Sequence, residues 1–411
     1  MPAYSPRIVD GELRELLESA GAVVIEGPKA CGKTMTASQQ SASRVLLDID
    51  QAARQALAVE PRLVLEGARP RLLDEWQVAP ELWNQVRRAV DASEQPGQFL
   101  LTGSAVPAED VSRHTGAGRF GFLRMRPMSL FESGVSNGAV SLRQLFAGEV
   151  QTVADPGLSV QDLAALIARG GWPAQQGRPL KAASRAARDY LEQVRQVDIS
   201  RVDRRRDPAR VGALLRSLGR HCATEARLST LAADVALDER TVTDYLQALE
   251  QLMVIEDQPA WAPHLRSRAR LRKAPKRHFV DPSLALAASG AAAERLLEDF
   301  EWFGQLFESL VIRDLRVLSQ PLEGEVLHYR DDYGVEADAI VQLRDGRWGA
   351  IEIKLGERQV DEAAANLKRF SDQIDSQRSG SAAFLAVICG KGYGYRRPDG
   401  VVVVPVGALG P

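Results

Sequence analysis

The run Gly27-Pro28-Lys29-Ala30-Cys31-Gly32-Lys33-Thr34 follows the apolar stretch Ala22-Val23-Val24-Ile25 and opens a segment of helical character. Such a turn leaves consecutive backbone N–H groups facing one concave space, beside the positive end of a helix dipole. It belongs at the carboxyl edge of a parallel sheet, which narrows the fold class to α/β. Gly27 and Gly32 let the backbone approach a phosphate with no Cβ in the way. Lys33 is placed to neutralise the β- and γ-phosphates of a nucleoside triphosphate, and the Thr34 hydroxyl to ligate Mg²⁺. All eight residues from Gly27 to Thr34 are therefore candidate nucleotide contacts.

A second apolar run, Leu72-Leu73, ends in Asp74-Glu75. Asp74 is the expected metal partner, direct or through water, and Glu75 the group that polarises an attacking water. Val45–Ile49 and Gln98–Thr102 read as further strands. Short apolar strands separated by helical segments imply a parallel sheet covered on both faces. Thr102 and Ser104 close the fourth strand at the same edge, where they could sense the γ-phosphate or simply shape a turn. Cys31 sits near a helix N-terminus, which favours a thiolate, although a small space-filling role is the simpler reading. Together these features point to ATP hydrolysis, with ATP and Mg²⁺ as the bound species.

The remaining bulk properties mostly exclude. A chain of 411 residues has room for two or three domains. With a net charge of -2 it is no polycation, so any nucleic-acid contact must come from local patches. Cys31, Cys222 and Cys389 lie far apart with no C-x-x-C pair, which fits a reducing compartment and argues against structural zinc. No apolar stretch approaches the roughly 20 residues that span a bilayer, and no signal pattern opens the chain. A cytoplasmic location without membrane contact is expected.

The motifs Gly27–Thr34, Leu72-Leu73-Asp74-Glu75-Trp76-Gln77, Leu101-Thr102-Gly103-Ser104 and Gly118-Arg119 resemble the AAA-type ATPase domain of a large prokaryotic family. In that family a DUF4143 domain follows the ATPase. The similarity continues through Met128-Ser129-Leu130-Phe131-Glu132 and Gly170-Gly171-Trp172-Pro173, so it spans nearly the whole chain. It implies an AAA-type P-loop parallel-sheet domain over 1–150, a helical and winged-helix region over 151–285, and a restriction-endonuclease-like α/β domain over 286–411. A second sensor arginine is not evident. Arg119 is the candidate arginine finger, in trans or in cis, with a surface salt bridge as its alternative.

Residues 141–220 carry Leu and Ala at helical spacing. Ser229 or Thr230 could cap a short helix and Asp238 a second one, with Val242, Tyr245, Leu246 and Leu249 on one side. This pair resembles a helix-turn-helix, and Val254–Asp257 after it suggests a wing. His264–His278 holds seven Lys or Arg and no acid. If extended, Arg266, Arg268, Arg270 and Arg272 project from one face as a stripe suited to DNA or RNA phosphates. Packing against neighbouring acids is the competing reading, and a protein partner or homo-oligomer is also open.

In the last third, Val335–Val341 and Trp348–Leu355 flank an Asp345-Gly346 turn, a hairpin signal. Alternation brings Asp338, Glu352 and Lys354 to one cluster, with Glu336 competing for the place of Asp338 and Glu308 joining from a helix. The arrangement resembles the PD-(D/E)xK nuclease core, without its proline. That resemblance implies Mg²⁺ held by Glu308, Asp338 and Glu352, and Lys354 orienting water. A solvated ion-pair decoration is the alternative. Three functions follow: an ATPase driving a nucleic-acid-directed nuclease-like effector, a non-cleaving nucleotide-dependent regulator or interaction switch, and a binding module holding ATP structurally.

Overall fold

Residues 4–93, 95–103, 116–199, 207–263 and 273–411 are described by a computed structural model of the chain. They form two units, the first comprising Met1–Pro127 with Gln251–Met253 and the second Met128–Glu250 with Val254–Pro411.

The first unit is built on five strands: β1 (Ala22–Glu26), β2 (Ser43–Leu46), β3 (Arg71–Asp74), β4 (Phe99–Thr102) and β5 (Phe120–Arg124). They pair in parallel in the order β2-β3-β4-β1-β5. Strand alternation sends Ala22, Val24, Leu73 and Leu101 into one core with Trp83 and Phe120, whose rings stack at 4.2 Å. Val23, Ile25, Leu72 and Leu100 enter the other core with Leu13 and Leu123. Burial on both faces explains why β1 and β4 read as unbroken apolar runs. Strand β4 lies between β1 and β3, so Thr102 sits beside Ile25 on one side and Asp74 on the other.

The second strand departs from the Val45–Ile49 expectation. Leu47–Ile49 form a turn instead, because Asp50 caps the helix Gln51–Val59 through the Ala53 amide.

In the second unit, β7 (Glu325–Arg330), β8 (Glu336–Gln342) and β9 (Trp348–Lys354) form an antiparallel meander. Beyond β9 the sheet turns parallel through β10 (Phe384–Cys389) and β12 (Val402–Pro405), with β11 (Tyr395–Arg396) at the edge. The helix Val360–Gln373 makes the β9-to-β10 crossover, and the helix Phe300–Ser319 packs on β7, β8 and β9. The expected hairpin is present, with Gly346 at φ 92° in its turn.

Residues 128–150 group with this second unit. Strand β6 (Val140–Ser141) pairs in parallel with β13 (Leu409–Gly410), and the Ser136 hydroxyl donates to the Leu409 carbonyl at 2.7 Å.

Between these parts run the helices Val160–Arg169, Leu180–Gln193, Pro208–Arg220, Leu228–Val235 and Glu239–Gln251. Asp238 caps the last of them, accepting from the Thr241 amide at 2.8 Å. The helix before it starts at Leu228 with Arg227 as its N-cap and no side-chain cap, so neither Ser229 nor Thr230 plays that part. Antiparallel bridges Ile255–Phe279 and Gln258–Lys276 follow.

A buried ion network explains the connecting motifs. The Arg313 guanidinium donates to Asp281 Oδ2 at 2.9 Å and to Asp314 Oδ1 at 2.7 Å. Asp281 also accepts the Gly171 amide, and Asp314 the Leu130 amide, both at 2.9 Å. Gly171 has no room for a side chain, since a Cβ would stand 2.2 Å from the Met128 carbonyl. Arg313→Ala strands two buried carboxylates, so guanidinium unfolding should register a loss of about 3–5 kcal/mol. A variant as stable as the wild type would remove this network from the account.

Candidate functional site

The turn after β1 is shaped by residues within it and by one residue far upstream. Gly27 packs so closely that a Cβ would stand 2.5 Å from the Met125 carbonyl. Ala30 (φ 61°) and Gly32 (φ 107°) adopt left-handed backbone, and the helix Lys33–Gln40 starts directly after them. The Lys33 ammonium, 6% exposed, donates to the carbonyls of Gly27 at 2.9 Å and Pro28 at 2.8 Å. The turn is thus cross-braced by its own lysine. Arg7 braces it from outside, donating to the Cys31 and Arg126 carbonyls, each at 2.8 Å. Cys31 itself is buried among Leu13, Val23 and Ala37 as a space-filler.

Three elements meet at one carboxylate oxygen. Thr34 Oγ1 donates to Asp74 Oδ1 at 2.8 Å, and Thr102 Oγ1 donates to the same atom. Glu75 follows in left-handed backbone (φ 55°, ψ 42°), a conformation that costs a residue with a Cβ of order 1–3 kcal/mol. The Glu75 carboxylate accepts from the Gln77 amide Nε2. Gln77 in turn fills the space beside Gly103, where a Cβ would stand 2.2 Å from its Oε1. Lys29 is half-buried, and Ser104 lies outside the described residues.

Arg119 forms the surface salt bridge that was its alternative reading. It precedes β5 at the edge where Ala22 donates to its carbonyl, while the loop leaves the opposite end of β1. Its guanidinium binds Asp91 Oδ1 at 2.8 Å and so does not reach the loop of its own chain.

The C-terminal cluster also takes in Lys276, a member of the basic run His264–His278. Glu308 comes from the helix Phe300–Ser319, Asp338 from β8, and Glu352 and Lys354 from β9. Lys354 Nζ lies 2.7 Å from Glu352 and 3.6 Å from Asp338. The registered β8–β9 pairing runs from Gln342–Trp348 to Ala339–Ile351. Just past it, Asp338 Oδ2 accepts the Ile353 amide at 2.8 Å. Glu336 stays half-exposed near Arg330, so Asp338 is the member of the cluster.

Lys276 is the added member, its ammonium 2.6 Å from Glu308 and 3.3 Å from Asp338. An ammonium thus stands beside two of the three carboxylates, Glu308, Asp338 and Glu352, that were expected to hold Mg²⁺. Among the described residues no three His, Cys, Asp or Glu side chains are arranged to hold a metal ion.

Burial sets the protonation. It pushes Glu308 up to about 7, against the pull of Lys276. Burial and the charge of Asp338 push Glu352 up to about 8, against Lys354. For Asp338 burial also favours the neutral acid, but Lys276, Lys354 and the Ile353 amide outweigh it and hold its carboxyl below the usual range. Glu352 is fully buried, and its Oε1 has no hydrogen-bond partner among the described residues. Arg266, Arg268, Arg270 and Arg272 lie outside the described residues.

Residues 19–133 match the AAA domain family, 160–295 the domain of unknown function DUF8612, and 303–409 the domain of unknown function DUF4143. Uncharacterized proteins of Mycobacterium bovis and Mycobacterium tuberculosis are each 26% identical over 402 residues, covering 96% of this chain and 82% of theirs. Among solved structures, the Walker-type ATPase PABY2304 of Pyrococcus abyssi covers 68% of this chain and 94% of its own, at 15% identity and a TM-score of 0.40. Among the described residues no helix is long and apolar enough to cross a membrane.

The raised Glu352 value has a stability consequence. Its carboxyl stays protonated in the folded protein while the unfolded chain, at its ordinary value of 4.5, has released the proton. The folded state then binds more protons, and stability falls as pH rises through roughly 4.5 to 8. Glu352→Gln removes that slope while leaving Asp338, Glu308, Lys276, Lys354 and Glu336 in place. Melting curves at pH 5 and pH 8 should show the variant losing less than the wild type, and equal losses would contradict the reading.

Proposed function

Since the chain is an AAA-type P-loop protein with a DUF4143 domain at its C-terminus, we propose that it hydrolyses ATP at the turn after β1. The observation that carries this is the Thr34–Asp74 hydrogen bond, which joins the loop to the acid strand. Each residue there supports one role. The turn's amides and Lys33 hold the phosphates, and Thr34 with Asp74 would hold Mg²⁺. That ion would spread the charge of the phosphate oxygens. Thr102, bound to Asp74, is placed to report on the γ-phosphate. Glu75 takes the proton of the attacking water, its carboxylate fixed by Gln77. Arg119 faces away from its own site and serves as a finger only toward a neighbouring copy.

The ATP cycle, in this proposal, switches a nucleic-acid-directed second unit. The helices Leu228–Val235 and Glu239–Gln251 with the bridges after them act as a winged helix, and residues 303–409 as a nuclease-like fold. A cleft of about 760 Å³ supports this reading. Arg227, Lys273, Arg277 and Arg330 line it, together with Glu225, Asp331 and Asp332. With Arg277 paired to Asp257, Arg227, Lys273 and Arg330 are the cations left to meet a phosphate backbone there. The second reading, a switch that binds nucleic acid or a protein partner without cutting it, is favoured by Lys276 inside the acidic cluster.

Nucleotide turnover on purified protein, with and without DNA or RNA, tests the proposal. Lys33→Ala should weaken ATP binding about tenfold or more, the effect of losing one charged hydrogen bond. Glu75→Gln should keep binding yet slow hydrolysis by about 10²- to 10⁴-fold. Hydrolysis by Glu75→Gln at the wild-type rate would refute the role given to that carboxylate.

A further inference from the structure

We propose that the C-terminal cluster carries its own cation: Lys276 occupies the space a divalent metal would take, and the wild-type site therefore binds no metal ion. The geometry leaves little choice. Mg²⁺ requires oxygens at about 2.0–2.1 Å in an octahedral shell. Lys276 Nζ already stands 2.6 Å from Glu308 Oε1 and 3.3 Å from Asp338 Oδ1. An ion shared by those two oxygens would fall within contact distance of the ammonium and repel it. The second oxygen of Asp338 is engaged as well, by the Ile353 amide and by Lys354. The carboxylate oxygens left over, Glu352 Oε1 and Glu308 Oε2, each belong to a group whose other oxygen already pairs with an ammonium.

Lys276 is held in place by its backbone. It exchanges two hydrogen bonds with Gln258, at 2.9 and 3.0 Å. The Gln258 amide then donates to the carbonyls of Leu327 at 2.9 Å and Asp338 at 3.0 Å. Two residues upstream, the Ala274 carbonyl lies 3.2 Å from His328 Nε2. The strand bearing the lysine is therefore stitched to the sheet bearing the acids. With Lys354 on the other side, two ammonium groups face three carboxylates, and the cluster is close to neutral once one proton is retained. Such a site can position a ligand but lacks the Lewis acid that phosphodiester cleavage in this arrangement needs.

This inference is independent of the nucleotide site and favours the non-cutting reading of the second unit. Its test is a Mn²⁺ titration of the full-length chain without nucleotide, counting free ion by electron paramagnetic resonance. Up to about 1 mM, the weak end of protein sites for divalent ions, the wild type should show no binding that Asp338→Asn abolishes. Lys276→Ala should gain one Mn²⁺ per chain, and Lys276→Ala combined with Asp338→Asn should lose it again. A wild-type site that takes Mn²⁺ and loses it in Asp338→Asn overturns the proposal, as does a folded Lys276→Ala that takes none. Should Lys276→Ala fail to fold, the wild-type comparison with Asp338→Asn decides alone. ATP turnover followed on the same samples reports separately on the Lys33 site.

Discussion

A lysine ammonium withdrawn from water must be surrounded by oxygen atoms, and the two candidate sites of this protein meet that demand in different ways. Lys33 is given neutral carbonyls, those of Gly27 and Pro28. Its charge stays uncompensated by those partners, so an anion at the loop mouth completes it. Lys276 is given carboxylates, Glu308 and Asp338, and its charge is already balanced. The same side chain thus prepares one pocket for a ligand and closes another. Partner chemistry decides between these outcomes, since burial is similar in both.

The Arg313 network plays an analogous part at larger scale. Met128–Glu132, Gly170–Pro173 and Asp281-Pro282 are far apart in sequence and have no common periodicity. They converge because Asp281 and Asp314 each accept both from the guanidinium and from a backbone amide of a connecting motif, Asp281 on the single oxygen Oδ2 and Asp314 on its two oxygens. A buried arginine with both carboxylates satisfied fixes directions as well as distances, because its planar fork allows few approaches. That is why the glycine at 171 is required: the chain must pass flush against Met128 to present its amide.

Much of the nucleotide site was legible because its chemistry is contiguous. Gly27–Thr34 and Asp74-Glu75 each announce a role within a few residues, and strand alternation supplied the sheet around them. Strand β5 was not read, since Gly121 interrupts it and Phe122, 54% exposed, breaks the buried pattern. In the second unit the hairpin turn and period-two spacing were enough to gather Asp338, Glu352 and Lys354. Lys276 was hidden inside a basic run, and its burial depends on Gln258, which docks it onto β8. The roles of Arg7 and Gln77 were likewise invisible, because each acts on backbone or side chains brought close only by folding. Local signals identify groups, but the partners that set their charge state arrive through tertiary contact.

The pairing of β6 with β13 has a kinetic side. Ser136 and the Leu409 carbonyl it contacts are separated by 273 positions, so the segment just after the ATPase-type sheet cannot be closed until β13 has been synthesised. The sheet β1–β5 draws its strands from the first 124 residues and can consolidate while translation continues. Residues 136–141 must meanwhile wait without the partners that residues 407–410 supply. Ribosome-bound intermediates of this protein would then hold a finished nucleotide pocket ahead of an open, chaperone-accessible tail.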